Sequence, residues 1–557
     1  MRALFILLTG LFLGSATAAP GKHAIATAHP LATQAGAQML KAGGNAFDAA
    51  VAISAALAVV EPTGSGFGGG GFWLLHRASD GEEIFLDGRE MAPAASSADM
   101  YLDEKGKAIA SLSRDGALAA GIPGQAAALV LLSRKYGRLP LSRSLAPAIA
   151  YARQGFVCDE KLAGAFAAHW SRMNDEAREV FALAGKPPRS GGRIVQLDLA
   201  QSLERLAEKG FAGFYEGPTA ERLVNAVRGA GGIWTRQDLR NYRALERAPV
   251  EIFFRTLRIV TAPPPSAGGI TMAQVFGQLE ALDWRDDDSA HSVHLQTEAM
   301  RRAYRDRARW LGDADFVRVP MKRLTSTSYS RNLARNIDPD KATPSAELPP
   351  AAAFVEGRDT THFSVMDAQG NRVAATLSIN LPFGSAFMAA GTGIVLNDEM
   401  DDFSASPDAA NAYGLAGSLA NRIEPGKRPL SSMSPSFVEG PRGVLVIGTP
   451  GGSRIITMVL RAILGWERGM DLDAVVARPR LHHQYLPDRL FFEPGALSQK
   501  VRDTLQGRGH VLSESSRQYG NMHAVSWNPG TGVVKAASDP RGVGEATVFD
   551  SPDSGAR

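Results

Sequence analysis

The chain has 557 residues, 45% hydrophobic and 21% charged, which is the balance of a water-soluble globular protein. Its 60 basic and 57 acidic residues are interspersed and nearly cancel, so no basic run marks it for nucleic acid. Cys158 is the only cysteine, which excludes an intrachain disulfide; with no activating base beside it, it reads as an inert buried thiol.

Met1-Arg2 followed by the apolar Ala3–Leu13 and the small-x-small site Ala16-Thr17-Ala18 reads as a cleavable export leader over residues 1–18. The apolar core is too short to span a membrane. That places the mature chain in the periplasm or outside the cell, with no stable membrane insertion. Pro30–Ala42 and Ala46–Val60 read as helices separated by Gly43-Gly44-Asn45, a C-cap and then a new N-cap. The glycine run Gly64–Phe72 has a helix before it, so it misses the dinucleotide fingerprint and fits close backbone packing better. Strands follow at Trp73–His76 and from Glu83 to Arg89. The middle of the chain, from about Ser113 to Leu333, is mostly helical by pattern, most clearly at His294–Asp313. Asp338–Gly357 carries four prolines and reads as an irregular surface linker.

Beyond that linker the pattern turns to strands. In "TTHFSVMD" the residues Thr361, Phe363 and Val365 alternate with His362, Ser364 and Met366, the period of a half-buried strand. "DAQGN" is a turn, and "RVAATLSI" returns. A hairpin centred near Gln369 sets Thr360 opposite Ser378, with Cβ atoms about 4.5–5.5 Å apart, and turns Asn380 to the same face. Thr-Thr can be no more than a strand start. It can also be a hidden N-terminus: a threonine freed at its own amine carries a base of pKa about 7.7–8 beside its hydroxyl. Cutting between Asp359 and Thr360 would create it.

Further along, "LNDEMDDFS" is either a solvated acidic loop or a pocket for an ammonium group, with Glu399 and Asp402 on one face if the turn is helical. Ser431 and Ser432 form a turn or offer hydroxyls to a carboxylate. Arg89 is a surface ion pair or a carboxylate clamp. Gly451 and Gly452, between a strand and a helix, present backbone N–H groups suited to an oxyanion. His482 and His483 lack metal-ligand spacing, so no metal site is expected.

Taken together, the segments "GGNAFDAAVA", "GFGGGGF", "DGREMAPA", "PPPSAGG", "DTTHFSVMD", "NDEMDDFS", "KRPLSSMSP", "GTPGGSRI" and "ASDPR" resemble the γ-glutamyltranspeptidase family of N-terminal nucleophile hydrolases, in family order and over nearly the whole mature chain. The resemblance implies an α+β fold, a four-layer αββα sandwich of two mainly antiparallel sheets flanked by helices. It implies self-cleavage into a heavy subunit (residues 19–359) and a light subunit (residues 360–557) that stay together as one domain. Thr360 would be the nucleophile and Ser378 its hydroxyl partner. Gly451 and Gly452 would form the oxyanion hole. Arg89, Ser431 and Ser432 would hold the glutamyl carboxylate, and Asn380, Glu399 and Asp402 its ammonium. Tyr413, in the loop Ser406–Ser418, would gate the pocket. No cofactor is implied. Donors would be glutathione or glutamine-like amides, and acceptors water, amino acids or dipeptides. The alternatives are a cephalosporin (glutaryl) acylase of the same family and an extracytoplasmic amino-acid- or peptide-binding protein.

Overall fold

The structure, a computed structural model, describes residues 19–349, 351, 360–404 and 418–551. The expected export leader, Asp359 and Tyr413 lie outside these residues.

Two antiparallel sheets carry the fold. The first contains β1 (Lys22–Thr27), β2 (Gly70–Arg77), β3 (Glu82–Gly88) and β4 (Leu245–Arg247). The second begins with the hairpin β5 (Val250–Phe254) and β6 (Leu257–Thr261). The first sheet resumes at β7 (Thr360–Met366) and β8 (Arg372–Ser378). The second is completed by β9 (Ser436–Gly440), β10 (Gly443–Gly448), β11 (His523–Trp527) and β12 (Val534–Ser538). Last, β13 (Glu545–Asp550) returns to the first sheet. The strand orders are β13-β1-β7-β8-β2-β3-β4 and β12-β11-β10-β9-β6-β5.

Side chains alternate across the first sheet as the pleat requires. Ile25, Trp73, Leu75, Val365 and Val373 join a core with helices α1 (Pro30–Lys41), α2 (Ala46–Val60) and α3 (Gln125–Tyr136). Their neighbours Ala24, Ala26, Phe72, Leu74 and Ala374 face the second sheet, in a core shared with α4 (Gly268–Ala281), α5 (Ala290–Trp310) and α6 (Arg454–Glu467). Helix, sheet, sheet, helix is the αββα sandwich. The helix α2 is buried along its whole length and starts at a capping box between Asn45 and Asp48, as the Gly-Gly-Asn signal predicts.

The glycine run packs as expected. A Cβ on Gly68 would run into the Val395 carbonyl, and one on Gly69 into that of Ser378. The stretch expected to be mostly helical is so, and it also holds β4, β5 and β6, short strands whose alternation is hard to see beside long helices. One reading needs correction. The strand expected to be half-buried, β7, is buried on both faces. The second sheet covers its polar face, where His362 bonds to Thr376 (2.9 Å) and Ser364 (3.2 Å), and Ser364 donates to the His523 carbonyl. Cys158 is buried, and burial pushes its thiol up to about 11, with Asp159 adding to the effect. That fits an inert thiol.

Candidate active site

The site is built at one end of the first sheet. The turn between β7 and β8 is fixed by Asp367, whose carboxylate accepts from the N–H groups of Gln369 and Asn371 (3.0 Å each). That sets the register over the whole hairpin, and Ser378 is the direct cross-strand partner of Thr360, as the sequence predicts. The register continues outward: Ser378 pairs with Gly70, and Gly71 pairs with Gly88. Thr360, Ser378, Gly70 and Gly88-Arg89 therefore follow one edge of four adjacent strands, spaced about 4.8 Å apart.

Past Ser378 the chain turns sharply. Asn380 has φ +76°, a left-handed backbone that costs a non-glycine residue about 1–3 kcal/mol. Its bonds hold it there. Its N–H donates to the Ser378 hydroxyl (2.9 Å), and its amide donates to the Asp398 carbonyl (3.0 Å) and carboxylate (3.3 Å). Asp398 also accepts from the Leu381 N–H at 3.0 Å. These bonds tie the acidic segment to the end of β8. Glu399–Asp402 is a single 3-10 turn, which puts Glu399 and Asp402 on the same side.

Both carboxylates meet Arg89. Its guanidinium lies 2.6 Å from Glu399 and 2.5 Å from Asp402, with Glu90 at 3.6 Å. It also donates to the Pro429 and Leu430 carbonyls (3.3 Å each), just before Ser431. The backbone of Arg89 is fixed in turn: its N–H donates to Asp87, and its carbonyl accepts from Tyr242 (2.7 Å) and Arg428 (2.9 Å). The surface-pair reading of Arg89 fails, because the side chain is fully buried. So does the solvated-loop reading of the acidic stretch, since residues 397–402 are all buried.

The hydroxyl of Ser431 accepts from the Met433 N–H (3.1 Å) and that of Ser432 from Arg307 (2.9 Å). A hydroxyl that accepts still has a proton to donate.

One guanidinium stands among three buried carboxyl groups. Burial pulls the Arg89 pKa down, but Glu399 and Asp402 more than offset that and hold it above the ordinary arginine value. Burial pushes Glu399 well up, against the pull of Arg89. Burial pushes Glu90 up too, and neither of its carboxyl oxygens has a hydrogen-bond partner among the described residues. The cluster is short of positive charge.

Gly451 and Gly452, at φ +138° and +58°, form the turn between β10 and α6. Gly451 and Thr360 line one cavity of about 540 Å³. Its wall includes Glu61, Lys161, Arg454, Arg517 and Tyr519, none of which the sequence had singled out. Glu90 and Asp398 were missed as well, although both lie inside motifs already marked. Among the described residues no group of His, Cys, Asp or Glu is arranged to hold a metal ion.

A four-layer αββα sandwich with a threonine at the head of a central strand defines the class of N-terminal nucleophile hydrolases. Residues 32–549 match the family model described as Gamma-glutamyltranspeptidase. The chain is 41% identical over 532 residues to a glutathione hydrolase proenzyme of Escherichia coli (strain K12), covering 94% of this chain and 91% of that protein. It is 42% identical over 552 residues to a glutathione hydrolase proenzyme of Pseudomonas aeruginosa, covering 96% and 94%. A solved structure of a cephalosporin acylase from Bacillus halodurans matches with a TM-score of 0.84 at 26% identity, covering 98% of this chain and 99% of that one. The chain belongs to the gamma-glutamyltranspeptidase family, whose enzymes use an N-terminal threonine as nucleophile.

Proposed function

We propose that the chain is exported, cuts itself before Thr360, and then transfers γ-glutamyl groups from glutathione or related amides to water or to amino-acid and peptide acceptors. The cut frees the Thr360 amine, which takes the proton of its own hydroxyl. The oxygen attacks the γ-amide carbon. The N–H groups of Gly451 and Gly452 receive the oxyanion, and the Ser378 hydroxyl orients the nucleophile. The C–N bond breaks, the leaving amine takes the proton, and a γ-glutamyl ester remains on Thr360. Water or an acceptor amine then displaces it.

The glutamyl head group carries both charges. Its ammonium fits Glu399 and Asp402, with Asn380 beside them; its carboxylate fits Arg89, Ser431 and Ser432. Binding inserts a zwitterion into an existing ion pair, and the ammonium supplies the positive charge that the cluster lacks.

The observation that carries this reading is the run of contacts from the Thr360–Ser378 pair through Asn380 and Asp398 to Arg89, Glu399 and Asp402. It brings Thr360, Arg89, Glu399 and Asp402 to one end of one sheet, which supports reading them as nucleophile and charged clamp. The likeness to a cephalosporin acylase favours a second reading, a glutaryl acylase. A glutaryl group has no ammonium to add to the single guanidinium among the three buried carboxyl groups, so the γ-glutamyl reading is the better one.

The test is a denaturing gel with N-terminal sequencing of the smaller band, followed by a γ-glutamyl anilide assay. A band beginning Thr-Thr-His-Phe-Ser and release of the aniline support the reading. A single persistent chain points to a binding protein instead. Cleavage with activity on glutaryl but not γ-glutamyl anilide points to the acylase.

A further inference from the structure

The motif "PPPSAGG" (Pro263–Gly269) and the buried helix α5 carry none of the groups proposed to touch substrate, yet both meet the segment that bears Ser431 and Ser432. We propose that one face of α5 positions the site: Arg307 aims the Ser432 hydroxyl at the α-carboxylate of the donor, and Tyr304, one turn earlier, fixes the turn that carries the oxyanion N–H groups. The inference rests on the γ-glutamyl reading above and adds two positioning residues to it.

The backbone of the serine pair is set by the motif. The Ser431 N–H donates to the Pro265 carbonyl (2.9 Å), and the Ala267 N–H donates to the Ser431 carbonyl (2.7 Å). The Ser266 hydroxyl donates to the Met433 carbonyl (2.7 Å), and that of Ser434 to the Ser432 carbonyl (2.7 Å). A Cβ on Gly268 would strike the Ser434 hydroxyl, so this close approach requires glycine. With the backbone held, the freedom left at Ser432 is rotation of its hydroxyl. Arg307 removes it. A guanidinium only donates, so the Ser432 proton cannot point at Arg307. Both side chains are buried, and no acceptor for that proton lies among the described residues. In the γ-glutamyl reading the acceptor is the α-carboxylate. The cationic donor also polarises the hydroxyl, which makes it a stronger donor in turn.

Tyr304 precedes Arg307 by one turn of α5, on the same face. Its hydroxyl donates to the Ser453 carbonyl at 2.5 Å, directly after Gly452. The Ser453 hydroxyl donates to Gln484 (2.6 Å), so the residue that follows the two glycines is held at its backbone and at its side chain. One helix face thus reaches both the carboxylate-binding serine and the oxyanion turn. The two residues act on different steps. The carboxylate is held alike in the ground state and the transition state, so losing Arg307 weakens binding. The oxyanion exists only on the reaction path, so losing Tyr304 slows turnover.

The test uses the processed full-length protein, with γ-glutamyl anilide as donor and L-glutamate and its α-amide as competing inhibitors. Arg307→Gln should raise KM roughly tenfold with kcat within about threefold, and cut the preference for glutamate over its α-amide roughly fivefold to tenfold, the scale of one hydrogen bond to a charged group. Arg307→Lys should recover part of both. Tyr304→Phe should lower kcat roughly fivefold to tenfold with KM within about twofold. Should the glutamine variant not fold, Arg307→Lys and Ser432→Ala are compared singly and together. Their effects on the glutamate preference should overlap, the double variant being no worse than Ser432→Ala. Additive effects overturn the inference, and so does an Arg307→Gln enzyme that keeps its glutamate preference. An unchanged kcat in Tyr304→Phe strikes Tyr304 from it. Absence of anilide turnover in the wild type instead brings down the γ-glutamyl reading itself.

Discussion

Thr360 begins one central strand and Ser378 ends the next, and the two are direct cross-strand partners. A hydroxyl is therefore fixed beside the threonine by the sheet itself rather than by a loop. Thr360→Ala should give a folded chain that stays in one piece and turns over no γ-glutamyl anilide. Two-chain processing of that variant on a denaturing gel would remove Thr360 from the nucleophile's role.

Ser378 has a second duty, since its hydroxyl accepts from the strained Asn380 N–H. Ser378→Ala should lower kcat about tenfold, the scale of one lost hydrogen bond. Ser378→Thr should keep most of the rate. Steady-state kinetics of the two variants decide it, and an unchanged kcat in the alanine form would rule the hydroxyl out.

Asp402 pairs with Arg89, which gives it a structural part beside the proposed ligand-binding one. Asp402→Ala leaves a buried guanidinium with fewer partners, a change of the kind that costs about 3–5 kcal/mol. The expected result is a KM for γ-glutamyl donors raised more than tenfold together with a lower melting temperature. A purely ligand-facing carboxylate would raise KM and leave the melting temperature where it was.

Gly68 packs so close to the Val395 carbonyl that a methyl group has nowhere to go. The neighbour is backbone and cannot rotate away. Gly68→Ala should destabilise by about 1–3 kcal/mol or more, and thermal melting measures it. A melting temperature equal to the wild type would mean the two segments do not approach as described.

Three buried histidines and a half-buried one predict acid lability. Burial lowers His482, His510 and His523 to about 3 and His29 to about 4. The unfolded chain binds protons near pH 6.5 while the folded chain refuses them, so stability falls as pH drops below about 6.5 and levels off near 3–4. Above that window these groups contribute no pH dependence. His29 also caps α1, its ring nitrogen accepting from the Leu31 N–H at 3.1 Å, a role only the neutral ring can fill. His29→Asn should keep the cap and flatten part of the slope in melts at pH 7.5, 5.5 and 4.5.

The Thr360–Ser378 register was legible because turn chemistry is local. Asp367, Gly370 and Asn371 fix the hairpin whatever surrounds it. The helix α2 was legible for the same reason, with its cap and apolar run adjacent in sequence. The full burial of β7 was not. Alternating polar residues normally mean water on one face, and only the second sheet, built partly from residues more than a hundred positions away, turns that face into a dry hydrogen-bonded layer. The pairing of Arg89 with Glu399 and Asp402 joins positions some three hundred apart, so the sequence showed the charges without their arrangement. The cavity residues Arg454 and Arg517 carried no local signal, because a single arginine beside an aromatic residue is common on any surface.

In the first sheet β1 lies between β13 and β7. The strand that opens the described chain is thus gripped on both sides by strands that follow Thr360. A cut before Thr360 would leave two polypeptides interwoven in a single sheet, not docked across a face. Neither could leave without tearing out hydrogen-bonded strands, so the fragments should never trade mates. Two differently tagged preparations, mixed and incubated while still active, should yield no hybrids.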